Sequence, residues 1–277
     1  MLSTTLPLLL LGVLGARATR AGEPAPVLRS AVFNLVDLAV KPTEVGERRD
    51  VARQSTATLD EFECHLSVLN AGRPSHPPHQ HPQEELIILQ EGTLEVFING
   101  HTARIGPGSL FFFAAHDRHA VANVGSTPAR YSVFNFTTGQ TRRREARPAA
   151  ETSAPGQLRS GVYTWESLTA LPTKVGHRRA VFDSPTPTCA RLECHITTLN
   201  AGEAPHAPHH HPDEEMILVR DGTMEVTIQG RSHRLTAGGI AFLASNEEHG
   251  FRNVGGTAAT YYVIRVATER TPAKPGA

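Results

Sequence analysis

The sequence predicts an all-β protein made of two tandem copies of one small sandwich or barrel. Three observations carry this prediction. The chain repeats itself at an offset of 130 residues. Within each copy, apolar residues alternate at period two or run as short β-branched and aromatic stretches. The 23 glycines and 20 prolines punctuate the chain too often for long helices and suit turns between short strands.

The repeat needs no insertion or deletion from about residue 41 to 135. "LNAG" at 69–72 falls on "LNAG" at 199–202, "EGTLEVFING" (91–100) on "DGTMEVTIQG" (221–230), and "HAVANVGSTPARYSV" (119–133) on "HGFRNVGGTAATYYV" (249–263). Two copies at so long a period mean a duplicated domain, not a solenoid of small units.

In chain order, the first element is "LPLLLLGVLG" (6–15), an apolar run of signal-peptide length followed by the small-x-small site Ala16-Arg17-Ala18. It is well short of the ~20 apolar residues that span a bilayer. The expectation is a signal peptide over 1–18, cleavage after Ala18, and a secreted or periplasmic protein free of the membrane. An N-terminal domain is expected over 27–137. In it "ELIILQ" (85–90) reads as a half-buried strand, and "LEVFING" (94–100) as a strand ending in an Asn-Gly hairpin turn. "GPGSLFFFAA" (106–115) is a turn and an apolar strand, and "RYSVFNFT" (130–137) has strand composition. Residues 138–156, charged and then Pro/Ala-rich, read as an exposed linker. A C-terminal domain over 157–269 repeats the pattern with "EMILVR" (215–220) and "TYYVIRVAT" (260–268). "WESLTAL" (165–171) is the best short helical stretch. Acids and bases number 27 each, which argues against a nucleic-acid partner. Three cysteines, Cys64, Cys189 and Cys194, are few for a disulfide scaffold and read as buried thiols, although a Cys189–Cys194 bridge stays open.

The chemistry concentrates in "HPPHQHPQEE" (76–85) and "HAPHHHPDEE" (206–215). On an extended backbone, side chains alternate faces, so His79, His81 and Glu85 project to one side. Ile87 and Leu89 continue that face as an apolar floor. Glu84 has the other parity and is expected to face out, where it can pair with a surface base. His209, His211 and Glu215 align in the same way, with His210 and Glu214 pointing away. His119 and His249 return after the next strands, each followed four residues later by Asn (Asn123, Asn253). Three imidazoles and one carboxylate form a coordination shell for a divalent metal. Burying four such groups unpaired would cost several kcal/mol. His76 and His206 are read as groups orienting a ligand or lying on a loop surface, and His65 and His195 as core or pocket residues. His101, His116, His177 and His233 are read as surface residues.

The order Gly72, "HPPHQHPQEELIILQEG", "GPGSLFFFAAHDRHAVAN" resembles the two motifs of the cupin superfamily, G(X)5HXH(X)3–4E(X)6G and G(X)5PXG(X)2H(X)3N. Copy two matches with His209, His211, Glu215, Gly222, His249 and Asn253. Each copy has one extra residue ahead of its first histidine, the second motif runs longer before its His, and Ala237-Gly238-Gly239 lacks the proline. The resemblance covers nearly the whole chain after residue 18. It implies two tandem jelly-roll β-barrels arranged as an internal pseudo-dimer, with metal ligands His79, His81, Glu85 and His119, and His209, His211, Glu215 and His249.

A divalent ion with neutral imidazoles and one carboxylate leaves about one positive charge, which attracts an anion, an enolate or a phenolate. An octahedral ion keeps two openings beside four protein ligands. That favours manganese or iron, with nickel and copper compatible and zinc suited to a structural or hydrolytic role. The expected function is an exported metal-dependent oxidoreductase of the dioxygenase kind acting on a small anionic or enolisable molecule. Glu85 and Glu215 are its proton acceptors. The alternatives are a non-oxidative metalloenzyme (decarboxylase, isomerase or aminohydrolase) and a binding protein without turnover. The chain is expected as a monomer or homodimer.

Overall fold

The computed structural model describes residues 26–143 and 153–273. The apolar run at 6–15, the cleavage site after Ala18 and part of the linker lie outside the described residues. The first copy runs β1 (Ala31–Phe33), β2 (Lys41–Thr43), β3 (Gly46–Gln54), β4 (Glu61–Leu69), β5 (Glu84–Glu91), β6 (Leu94–Ile98), β7 (His101–Ile105), β8 (Leu110–Phe113), β9 (His119–Asn123) and β10 (Ala129–Thr137). A five-residue helix, α1 (Gly139–Arg143), follows. The second copy repeats the series as β11 (Gly161–Tyr163), β12 (Leu171–Thr173), β13 (Gly176–Ser184), β14 (Arg191–Leu199), β15 (Glu214–Asp221), β16 (Thr223–Ile228), β17 (Arg231–Thr236), β18 (Ile240–Leu243), β19 (His249–Asn253) and β20 (Ala259–Ala267). Within "WESLTAL", only Trp165–Ser167 is helical, as one 3-10 turn.

Each copy folds as a jelly roll, a large antiparallel sheet faced by a three-stranded one. The sheet orders are β2-β3-β4-β10-β5-β8-β11 with β7-β6-β9, and β12-β13-β14-β20-β15-β18-β1 with β17-β16-β19. The Asn-Gly turn forms as expected. Asn99 and Gly100 both take positive φ (46° and 94°) between β6 and β7, the hairpin geometry that matches strand twist. Gly92 is required sterically: at φ 85° an added Cβ would lie 2.6 Å from the Ala129 Cα.

The sheets do not divide at the boundaries expected for the domains. Strand β1 lies in the N-terminal half but pairs with β18, and β11 lies in the C-terminal half but pairs with β8. Each short arm covers an edge that would otherwise expose unpaired backbone groups. Matching serines fasten the arms: Ala114 N–H donates to Ser160 Oγ, and Ala244 N–H to Ser30 Oγ, both at 2.8 Å. Nor is the linker simply exposed at its start. Thr138 and Thr141 are buried, and Arg142 and Arg143 pair with Asp60 and Glu269.

Three apolar cores result among the described residues. One fills each barrel, with Ile87, Leu89, Phe113 and Tyr131 in the first and Ile217, Val219, Leu243 and Tyr261 in the second. The third lies between the barrels and joins Phe62, Leu86, Ile88 and Phe134 to Met216, Leu218, Phe242 and Ile264. Phe62 and Phe242 stack across it with ring centroids 5.3 Å apart. Each such side chain contributes about 1.5–3 kcal/mol by burial. This corrects the expectation of half-buried strands for β5 and β15. Their odd faces fill a barrel and their even faces the seam, so both faces are apolar.

The seam also corrects the reading of Glu84 and Glu214. They do point away from the cavities, but both are fully buried. Glu84 accepts hydrogen bonds from Thr186 Oγ1 (2.6 Å) and Thr188 N–H (3.1 Å), and Glu214 accepts them from Thr56 Oγ1 (2.7 Å) and Thr58 N–H (3.1 Å). Each carboxyl thus grips the opposite copy. Burial raises both above the usual carboxylate range, and these hydrogen bonds offset part of the effect. The cysteines are buried free thiols, Cys189 beside the Glu84 latch.

Candidate metal centre

Prolines 77, 78 and 82 keep the first histidine tract out of regular strand, because proline offers no N–H to a ladder. Strand β5 starts only at Glu84. An isolated bridge holds the tract instead: His79 N–H donates to the His119 carbonyl at 3.0 Å, and His119 N–H to the His79 carbonyl at 2.9 Å. His209 and His249 form the same bridge. It ties the loop to β9 or β19 and brings the second motif against the first. Asn123 is not among the converging groups but locks the far end of β9. Its Nδ2 donates to the carbonyls of Leu69 and Thr127, and its Oδ1 accepts from Gly125 N–H. Asn253 does likewise in the second copy.

The ring nitrogens of His79, His81 and His119 lie within 4.8 Å of one another, as do those of His209, His211 and His249. Glu85 stands beside its trio, 3.7 Å from His81 Nε2 and 4.0 Å from His119 Nε2. Glu215 Oε2 is 3.1 Å from His211 Nε2. Every side chain named as a ligand from the sequence is therefore at one of two centres. The chemistry of the donors fits a cation. His81, His119, His211 and His249 each direct Nδ1 at the backbone carbonyl of Gln83, Asp117, Asp213 or Glu247, at 2.8–3.1 Å. That contact places the proton on Nδ1 and leaves Nε2 as a lone-pair donor. His119 Nε2 and His249 Nε2 are buried with no hydrogen-bond partner. An unmet buried acceptor in each of the two clusters is what a bound metal satisfies.

Burial sets the protonation of these groups. It pulls His119 down to about 4 and lowers His249. Burial and the neighbouring His206 ring bring His209 to about 4. For Glu85, burial works upward, but the His81 hydrogen bond and the His119 charge outweigh it and hold the carboxyl below its usual range. In metal-free protein the imidazole signals of His119 and His209 should therefore titrate near pH 4 in an NMR pH series. The linkage follows: as pH falls from about 6.5 toward 4, only the unfolded chain takes up these protons, so their contribution to stability declines across that window. Midpoints near 6.5 would contradict the reading.

Each centre opens on a cavity. The first, of about 290 Å³, is lined by His65, His76, Glu85, Phe113, His119 and Tyr131. The second, of about 310 Å³, is lined by His195, His206, His209, Glu215, Phe251 and Tyr261. Both uncertain histidine pairs, His76/His206 and His65/His195, thus face the cavities. His65 and His195 are held by Glu63 and Glu193, which Arg48 and Arg178 also grip. Burial pushes Tyr131 up to about 12, so its hydroxyl stays protonated. His116, expected at the surface, is buried in a left-handed turn, with its N–H on the His81 carbonyl. Asn246 takes its place in the second copy, which is why the repeat shows no matching histidine.

The chain matches the cupin domain over residues 65–135 and 195–265. It belongs to the cupin family. With two matched copies it is a bicupin, and its solved structural neighbours are bicupin-sized chains. AerE from Microcystis aeruginosa is 18% identical, with 83% of this chain and 97% of that one covered at a TM-score of 0.62. Bacillus subtilis oxalate decarboxylase, whose structure was described for its Mn(II) centres, is 14% identical, with 88% and 79% covered and a TM-score of 0.63. Protein Ylba from E. coli is 12% identical, with 94% and 100% covered and a TM-score of 0.67. At these identities the likeness is one of fold. No curated protein matches the sequence. The sequence reading of this cupin missed the Arg48–Glu63–His65 and Arg178–Glu193–His195 chains. Their recurrence at the same offset was the available signal.

Proposed function

We propose that this bicupin is an exported metal-dependent oxidoreductase of the dioxygenase kind, acting on a small anionic or enolisable molecule. His79, His81, Glu85 and His119 would hold one divalent ion, and His209, His211, Glu215 and His249 the other. The observation that carries the reading is the pair of three-imidazole clusters with buried, unpartnered Nε2 atoms. Manganese or iron suits the four-ligand shell with room for substrate, and the Mn(II) centres of a protein of the same fold support that choice. The ion supplies Lewis acidity and, if redox-active, a route to dioxygen. The protein's own residues do the rest. Glu85 and Glu215, ionised at neutral pH, accept the substrate proton. His65 and His195 donate or accept at the cavity wall, while Phe113, Ile87 and Val133 give the first cavity part of its apolar lining. Export rests on the run at 6–15, and N-terminal sequencing of protein recovered outside the cytoplasm should begin at Thr19.

The deciding experiment is elemental analysis of untagged protein, then a screen of small acids and phenols with and without oxygen. Bound manganese or iron with substrate-dependent oxygen uptake is expected. Turnover that persists without oxygen would replace this reading with non-oxidative metal chemistry, to which the likeness to an oxalate decarboxylase structure points. Bound zinc with no turnover would make the protein a binding cupin.

A further inference from the structure

Among the positions at which the two centres differ, one lies opposite the glutamate of each. Asn135 pairs directly with Glu85 across β10 and β5, and Arg265 pairs directly with Glu215 across β20 and β15. Paired residues on neighbouring strands face the same side. Asn135 lines a side cavity of about 320 Å³ together with His79, His81 and Glu85, and the two arginines of that cavity, Arg48 and Arg53, are taken up by Glu63 and Glu61. Arg265 lines the second barrel's cavity with His209 and Glu215.

Their hydrogen-bond states are opposite. Asn135 Nδ2 donates to Glu63 Oε2 at 2.7 Å, which fixes the orientation of the amide. Its Oδ1 is buried without a donor. Arg265 turns instead to Asp213, with Nη2 2.8 Å from Oδ2, and Arg191 grips the same carboxylate at 3.1 Å. Its Nε is buried without an acceptor and stands 3.8 Å from Glu215 Oε2. Glu193 Oε2, the counterpart of the atom that Asn135 holds, is left unpartnered but is not among the residues lining this cavity. The first centre therefore presents an unmet acceptor and the second an unmet cationic donor.

We propose that residues 135 and 265 give the two centres opposite ligand preferences. This rests on the metal reading above. The N-terminal centre takes a neutral molecule that donates a hydrogen bond, such as an alcohol, amide or protonated acid. The C-terminal centre takes a carboxylate, enolate or other oxyanion, whose oxygen would accept from Arg265 Nε–H. A charge-assisted bond of this kind is among the strong ones. The bicupin would then hold two specificities in one chain.

The test uses full-length protein with one centre removed at a time, His209→Ala leaving the N-terminal centre and His79→Ala the C-terminal one. Both are loaded with Mn(II), and acetate and acetamide are titrated in while the Mn(II) EPR spectrum and heat are followed. Acetate should bind the C-terminal centre about tenfold more tightly than the N-terminal one. Acetamide should favour the N-terminal centre. Arg265→Asn should remove the acetate preference without changing bound Mn(II), and Asn135→Arg should confer it on the N-terminal centre. The second substitution decides the matter if the first fails to fold. Equal acetate affinities, or an unchanged affinity in Arg265→Asn, would overturn the proposal. Mn(II) stoichiometry is read first and separately: protein that binds none overturns the metal reading and this proposal with it.

Discussion

Replacing His209 by Ala should lower bound metal from about two equivalents per chain to about one, with the N-terminal barrel keeping its own ion. The loss should be near complete for that centre, because His209 supplies one of its three clustered nitrogens. The bridge from His209 to His249 is made by main-chain atoms, so the substitution removes the donor without untying the loop. The fold should survive, since the ring lies at the cavity mouth rather than in any of the three apolar cores. Elemental analysis after gel filtration checks the stoichiometry, and His79→Ala should give the mirror result. Retention of both equivalents would refute the ligand assignment.

Replacing Glu84 by Ala should cost about 2–4 kcal/mol of stability. The substitution strips the acceptor from the Thr186 hydroxyl and the Thr188 N–H, both buried in the seam, and leaves a void beside Cys189. Glu214→Ala should cost a similar amount through Thr56 and Thr58. Urea unfolding followed by tryptophan fluorescence suits the measurement, since Trp165 sits near the seam under Arg220 and Arg179. A change under about 0.5 kcal/mol would mean that water or another group replaces the carboxyl at no cost.

Glu84 and Glu85 are neighbours, and the sequence was legible for one of them and not for the other. Alternation along the chain assigned Glu85 to the cavity correctly, although the histidines ahead of it sit in a proline-broken loop and not in the continuous strand that the parity argument assumed. The assignment held for Glu85 because β5 begins one residue before it and alternation applies from there. Parity also sent Glu84 away from the cavity, but it cannot say what lies on the other side. A residue facing away from one barrel looks like a surface residue until a second barrel is packed against it. The apolar character of Leu86 and Ile88 was the visible hint, since a strand with one wet face would alternate there. The threonines that meet Glu84 are about a hundred residues away, in a Thr-x-Thr that repeats at 56–58 and 186–188. The repeat made the pairing visible in principle, but sequence alone gave no reason to cross the copies. The same limit hid the difference between Asn135 and Arg265, because the motifs name ligands and not the residues opposite them.

The exchanged arms have a further consequence. A half cut from this chain would present a bare edge at β8 or β18 and carry an arm with nowhere to lie. Two identical halves, however, could trade arms with each other and recover every pairing. Carried on a single polypeptide, the two halves embrace through arms that neither could place alone.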